Sequence, residues 1–163
     1  MKQDILNKEL VARAFECARP MIHDLLRRLP VKNKGLVVVV AAADLHETPR
    51  DATAFKENCL LIERFGDPTM YTGPFEAVAL SKTHLSAMTG KGTAQLDASM
   101  LRVGDTVNAG SVVIGRVAAG ASGSKGYFDE SISYILAGLI HGFCRHEFAR
   151  LKDNDAVNFV GEF

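Results

Sequence analysis

The stretch Leu36–Ala41, with the sequence LVVVVA, limits the possible folds more than any other part of the chain. Most of its residues are β-branched, and no polar residue interrupts them. β-Branched side chains favour extended backbone, and an apolar run without alternation is typical of a strand that is covered on both faces. The sequence therefore predicts a sheet whose strand at Leu36–Ala41 is buried on both sides.

Three further segments have the apolar spacing of helices. Between Leu10 and Leu29, apolar residues recur at intervals of three and four, and Asn7 is positioned to cap the start. Pro20 lies inside this segment and predicts a kink or a division into two short helices. The other two predicted helices run from Pro74 to Met88 and onward from Asp129, which can serve as an N-terminal cap.

The remaining segments predict strands and loops. Strands are expected at Cys59–Phe65, near Val103–Val107 and at Ser111–Ala119, while residues 44–58 are expected to form an exposed loop with at most a turn of helix. Strands grouped between helices favour an α+β fold, with helices packed on a mostly antiparallel sheet. We expect one domain over residues 1–163, with residues 153–163 as a mobile tail unless Phe159 and Phe163 dock on a neighbouring subunit.

Composition excludes several classes of protein. A chain of 163 residues fits one domain, and 19 basic residues balance 19 acidic ones, which argues against a nucleic-acid partner. No apolar run approaches the roughly 20 residues of a membrane span, and the first residues resemble no secretory signal. The three cysteines are an odd number without a CxxC pair, as expected of reduced thiols. These features predict a cytoplasmic protein.

Motifs for metal binding and for common enzyme chemistries are missing from the sequence. The five histidines are dispersed, and no HExxH, Walker or GxSxG pattern occurs, so no metal site is predicted. One axial ligand to a haem iron needs only a single His, Tyr, Met or Cys, and that possibility stays open.

A glycine-rich loop before the last helix is the main candidate for ligand binding. Gly120, Ser122, Gly123, Ser124 and Lys125 combine flexible backbone, hydroxyl groups and a cation just before a helix start. Unpaired backbone N–H groups and the helix dipole favour an anion there. The alternative is a turn that reverses the chain and caps the helix, and the residues do not decide between the two.

A second candidate lies on the helix predicted at Pro74–Met88. Lys82 falls near its apolar face, either with its ammonium in a pocket or extending along the rim to solvent. His84 on the same helix is expected to be a surface residue.

Two segments resemble the GlcG/HbpS-like family, which includes the haem-degrading and PduO C-terminal-like domains. The first is VVIGRVAAGASGSKGYFDESISYILAGL, and the second is PFEAVALSKTHLSA, in which Lys82 matches the lysine of the family's earlier helix. The chain departs from the family where residues 45–58 replace a tight hairpin, and where residues 105–110 replace a glycine- and proline-containing turn. The resemblance implies an α+β, profilin- or PAS-like architecture and homo-oligomers, and some members bind haem.

Three functions follow as hypotheses. The first is a cytoplasmic oligomer that binds haem or another small organic ligand near Lys82 and the loop Ser122–Lys125. The second is an enzyme of small organic acid catabolism, with the anion on the glycine-rich loop and a proton moved by Lys82, His46 or Glu47 under a lid formed by residues 44–58. The third is an oligomeric accessory subunit whose glycines only pack.

Overall fold

The computed structural model describes residues 4–32 and 35–154 and builds them around one four-stranded sheet. None of the helices in these ranges is long and apolar enough to cross a membrane. In chain order the helices and strands are α1 (Lys8–Arg28), β1 (Leu36–Ala42), α2 (Ala52–Asn58), β2 (Leu61–Phe65), α3 (Phe75–Thr89), β3 (Ser111–Ile114), β4 (Val117–Ser122) and α4 (Gly126–Asn154), with short 3₁₀ helices at Pro68–Met70, Thr93–Gln95 and Ala98–Met100.

The sheet confirms the predicted α+β fold with antiparallel pairing. Its strand order is β2-β1-β4-β3, and every neighbouring pair is antiparallel. Helices α1 and α4 cover one face of the sheet, where Val38 and Val40 point, while α3 covers the other face, where Val37 and Val39 point. All four valines are fully buried, which explains why β1 carries an unbroken apolar sequence.

Helix α1 begins as predicted but does not divide. The Asn7 side chain accepts a hydrogen bond from the Leu10 N–H at 3.0 Å and so caps the first turn. The helix continues through Pro20, which lies on the exposed side. Ala18 and Ile22, on either side of Pro20, are both fully buried, so the core holds the two halves in line despite the missing backbone donor.

The prediction of one long strand at Ser111–Ala119 is wrong. The segment forms a hairpin in which Ile114 pairs with Val117 across a two-residue turn at Gly115 and Arg116. Gly115 has a φ of 59°, in the left-handed region that hairpin turns require and glycine readily adopts. Apolar residues continue on both sides of this turn because β4 is buried along its whole length, so the sequence carries little sign of the break.

Other boundaries differ from the sequence predictions. Residues 103–110 form a turn and irregular backbone rather than a strand, and α2 is a full helix of seven residues within the predicted loop 44–58. Helix α4 begins at Gly126, so Asp129 lies inside its first turns rather than at the cap position. This helix extends to Asn154, and the rest of the predicted tail, with Phe159 and Phe163, lies outside the described residues.

Candidate functional site

A cleft of about 800 Å³ lies between α2, α3 and the turn at residues 102–105, and we call it the α2–α3 cleft. Phe55, Leu80 and Val103 supply apolar surface to its lining. Four basic side chains also line it: Arg50, Lys56, His84 and Arg102. A cleft with an apolar wall and a few polar groups is the usual form of a small-molecule site.

The wall formed by α2 is held in place by Phe55 and His84. The Asp51 carboxylate caps α2 by accepting a hydrogen bond from the Ala54 N–H at 2.8 Å, and Phe55 is buried against α3. The His84 ring stacks on Phe55 at a centroid distance of 4.3 Å. His84 Nε2 lies 2.5 Å from the Pro49 carbonyl oxygen, so Nε2 carries a proton and donates it.

His84 was predicted to be a surface residue, and that prediction is wrong. Only 6% of the residue is exposed, because α2 and the preceding turn cover it. The Asp51 cap of α2 is a local feature of the sequence. The packing of α2 against α3, which buries His84, is a non-local contact that the sequence does not reveal.

The charged groups of the α2–α3 cleft are not all neutralised. Lys56 Nζ lies 2.8 Å from Glu76, and Arg102 lies 3.5 Å from Asp105. The hydrogen bond from Lys56 is the main reason that the pKa of Glu76 is lowered. Arg50 forms no ion pair within residues 4–32 and 35–154, and Asp105 is the only carboxylate in the cleft lining that these residues provide. The lining therefore has an excess of positive charge.

Lys82 does not reach this cleft. It is 1% exposed and forms a buried ion pair, with Nζ 3.0 Å from Asp129 Oδ2 and 2.8 Å from the carbonyl oxygen of Ala121. Burial lowers the pKa of Lys82 and raises the pKa of Asp129, and in each case the partner's charge opposes the shift. The predicted alternative of a lysine extending along the rim to solvent is wrong.

Gly110 makes room for this ion pair. Lys82 comes from the helix on one face of the sheet, and Asp129 comes from the helix on the other. A Cβ on Gly110 would lie 2.7 Å from both Lys82 Nζ and Asp129 Cβ, closer than real Cβ contacts allow. Gly110 also has a φ of 137°, in the range where glycine is favoured. The ion pair thus joins the two helix layers next to Gly110, just before the first residue of β3.

The glycine-rich loop already holds an anion that belongs to the chain. Asp129 Oδ1 accepts a hydrogen bond from the Ser124 N–H at 2.9 Å, and the Gly123 N–H also donates to this carboxylate. Lys125 is exposed, and Gly120 packs against Thr83. Two of the backbone donors expected to attract a ligand anion, those of Gly123 and Ser124, are therefore engaged by Asp129.

Other members of the predicted site lie apart. Ser122 is buried in β4, and Ser124 Oγ is a buried atom without a hydrogen-bond partner in the described part of the chain. His46 and Glu47 are exposed on a turn where their backbone N–H groups donate to Asp44. No hydrogen bond or ion pair among the described residues joins either side chain to Lys82. Ligand binding and catalysis by these residues stay predictions.

A metal centre does not form among the described residues. No group of three or more His, Cys, Asp or Glu side chains within them is placed to hold a metal ion.

Comparison with known proteins shows a similarity of fold but none of sequence. No model of a protein family matches the chain, and no curated protein matches its sequence. The fold is similar to the crystal structure of the Klebsiella pneumoniae protein ORFY, which is described as a DUF336 protein. The TM-score is 0.50 over 86% of this chain and 92% of that chain, at 15% sequence identity. This likeness shows a shared fold.

Proposed function

We propose that the protein is a cytoplasmic homo-oligomer that binds a small organic anion in the α2–α3 cleft. One observation carries the proposal: this cleft of about 800 Å³ places Arg50, which has no ion-pair partner among the described residues, beside Lys56 and Arg102, which pair with Glu76 and Asp105. An excess of one sign of charge in a cleft raises the local concentration of ligands of the opposite sign. The resemblance of the sequence to the GlcG/HbpS-like family supports a small-ligand role, and the fold shared with ORFY agrees with the α+β architecture that this resemblance implies.

The chemistry of the lining favours an organic acid with an apolar body. Arg50 offers a planar guanidinium without an ion-pair partner among the described residues, and such a group binds a carboxylate through two parallel hydrogen bonds. Phe55 and Leu80 offer apolar contact beside it. Residues 44–58, which the sequence suggested as a lid, supply one wall through α2 and the turn before it.

Binding is favoured over the alternative of an enzyme for organic acids. Lys82, His46 and Glu47 were the proposed proton-transfer residues, and none of them lines the α2–α3 cleft. Lys82 is buried, and its ammonium is held in an ion pair with Asp129. A general base must come within hydrogen-bond reach of the proton that it abstracts.

Calorimetric titration of a panel of aliphatic and aromatic carboxylates tests the proposal. At least one should bind, and Arg50→Gln should weaken that binding by about tenfold or more, since a charge-assisted bidentate contact is lost. Arg28→Gln, which removes an exposed guanidinium on α1 that does not line the cleft, is the control and should leave binding unchanged. Failure of every carboxylate to bind, or equal affinity in Arg50→Gln, would contradict the proposal.

Haem is a second candidate, and the α2–α3 cleft does not suit it. The histidine that lines this cleft, His84, donates a hydrogen bond from Nε2 to the Pro49 carbonyl oxygen and is almost fully buried. A separate hollow of about 720 Å³ between α1 and the end of β2 is a better fit, because exposed His23 lies there beside apolar Leu26 and Phe65. His23 could supply the single axial nitrogen that a haem iron requires.

An absorbance titration with haemin separates the two candidates. Binding at His23 should give a Soret band that is lost in His23→Ala and kept in Arg50→Gln. The absence of a saturable Soret change in the wild-type protein would exclude haem and leave the carboxylate proposal untouched.

A further inference from the structure

The outer side of α4 carries an exposed stripe of an unusual kind. Tyr127, Tyr134, Gly138 and Gly142 follow one another at intervals of seven, four and four residues, so they share one face of the helix. All four are exposed, Tyr127 to 64% and Tyr134 to 47%. We call this face the α4 stripe, and it continues to exposed Arg145.

The two glycines of the α4 stripe are not explained by the chain's own packing. A Cβ on Gly142 would meet nothing within 4 Å, and one on Gly138 would make only an ordinary contact of 3.9 Å with Ile114. Neither glycine has a positive φ. Glycine inside a helix is unfavourable relative to alanine because it loses more backbone freedom on folding. Two exposed glycines with open space above them allow the backbone of another helix to approach closely.

We propose, building on the homo-oligomer of the proposed function, that the α4 stripe is the contact between two copies of this chain, paired antiparallel about a two-fold axis at the level of residue 136. In that arrangement residue i faces residue 272 − i, which places Tyr134 of each copy over Gly138 of the other. Tyr127 then lies over Arg145, a contact in which an aromatic face attracts a guanidinium. The two tyrosines lie in one half of the stripe, and the two glycines and Arg145 lie in the other, so the stripe is complementary to itself.

Charge supports a second copy as the partner. Glu130 lies in the half of α4 that carries the tyrosines, while Arg145 and His146 lie in the other half. Antiparallel pairing brings Glu130 of one copy within about one helical turn of Arg145 of the other, and it sets the two helix dipoles in opposition. Isologous two-fold contacts of this kind are the commonest in soluble oligomers.

Sedimentation equilibrium of the full chain measures the proposed contact. The wild-type protein should sediment as a dimer or as a higher oligomer built on dimers, and Tyr134→Ala should weaken the dimer contact by about tenfold or more, as for a central aromatic anchor. Met21→Ala removes a comparably exposed apolar side chain from α1 and serves as its control. A wild-type protein that is monomeric at tens of micromolar overturns the proposal.

Substitution of the two glycines should change stability and association in opposite directions. Gly138→Gln and Gly142→Gln should raise the melting temperature of the dilute protein, since glutamine favours helix, and yet should abolish pairing through the α4 stripe. Ala12→Gln adds the same side chain to an exposed position of α1 and should leave the mass unchanged. Unchanged association in both glycine variants would refute the interface.

A charge exchange tests that the partner is a second copy in the antiparallel arrangement. Glu130→Arg alone should weaken association, and adding Arg145→Glu should restore it, because the exchanged charges again face each other. Failure of the double variant to recover would contradict the antiparallel register.

Discussion

Replacing Lys82 with methionine gives the sharpest test of the buried ion pair between the helix layers. Methionine has similar length and flexibility, so the change removes the ammonium with little change in shape. The Asp129 carboxylate then stays buried at 2% exposure and keeps the Ser124 and Gly123 donors, but it loses its cation.

The expected cost follows from the removal of one member of a buried pair. Such changes cost about 3–5 kcal/mol, because the remaining charge is left uncompensated. For a domain of this size, 1 kcal/mol lowers the melting temperature by about 2–4 °C, so the loss should be about 6–20 °C. Replacing both partners, as Lys82→Met with Asp129→Asn, should cost clearly less than the sum of the two single changes.

The pH dependence separates this cause from a simple packing defect. Burial raises the pKa of Asp129, and loss of Lys82 removes an interaction that lowers it. In Lys82→Met the folded state therefore binds a proton at a pH where the unfolded state does not. Because the folded state then holds more protons, its stability relative to wild type rises as the pH falls from neutral through the raised pKa of Asp129.

Urea unfolding of the wild-type, single and double variants between pH 7 and pH 4.5 measures these differences. The gap between wild type and Lys82→Met should narrow at the acidic end, and it should not narrow when Asp129→Asn is present. A cost below about 1 kcal/mol, or a gap independent of pH, would refute the reasoning about an uncompensated buried charge.

Three other predictions rest on individual contacts. Gly110→Ala should destabilise the fold by about 1–3 kcal/mol or more in urea unfolding, because the added Cβ collides with the ion pair; a neutral effect would contradict the crowding at Gly110. Ser111→Ala should cost about 1–3 kcal/mol, since Ser111 Oγ donates to the Lys82 carbonyl oxygen and contacts Ser86 and Thr93, and wild-type stability would show that this network contributes little. Burial raises the pKa of Cys59 to about 11, so iodoacetamide at pH 8 should modify exposed Cys17 first, as followed by mass spectrometry, and equal labelling rates would argue against that burial.

The sequence predicted those helices and strands whose formation depends on residues close together in the chain. The Asn7 cap places the start of α1 because its side chain accepts the Leu10 N–H only three residues away. The run at Leu36–Ala41 predicts a buried strand because both of its faces are covered by helices. The hairpin of β3 and β4 was missed because β4 is buried and β3 is buried or half-buried, so no polar residues mark their separation except at the turn around Gly115.

The candidate site was harder to predict because its parts come together through packing. Lys82 and Asp129 were each singled out from the sequence, but their pairing joins two helices on opposite faces of the sheet. Arg50 and Arg102 carry no local mark of function and become neighbours of one cleft only when α2 packs on α3. Burial of His84 depends on the same packing.

The strand order has a consequence for how the chain folds during synthesis. Strand β1 lies between β2 and β4, and its pairing of Val37 with Ser122 joins positions separated by more than half of the chain. Before residue 122 leaves the ribosome, one edge of a wholly apolar strand has no partner. Such edges promote aggregation, and non-local pairing slows folding. Nascent chains stalled before β4 should therefore depend on chaperones far more than chains released after it.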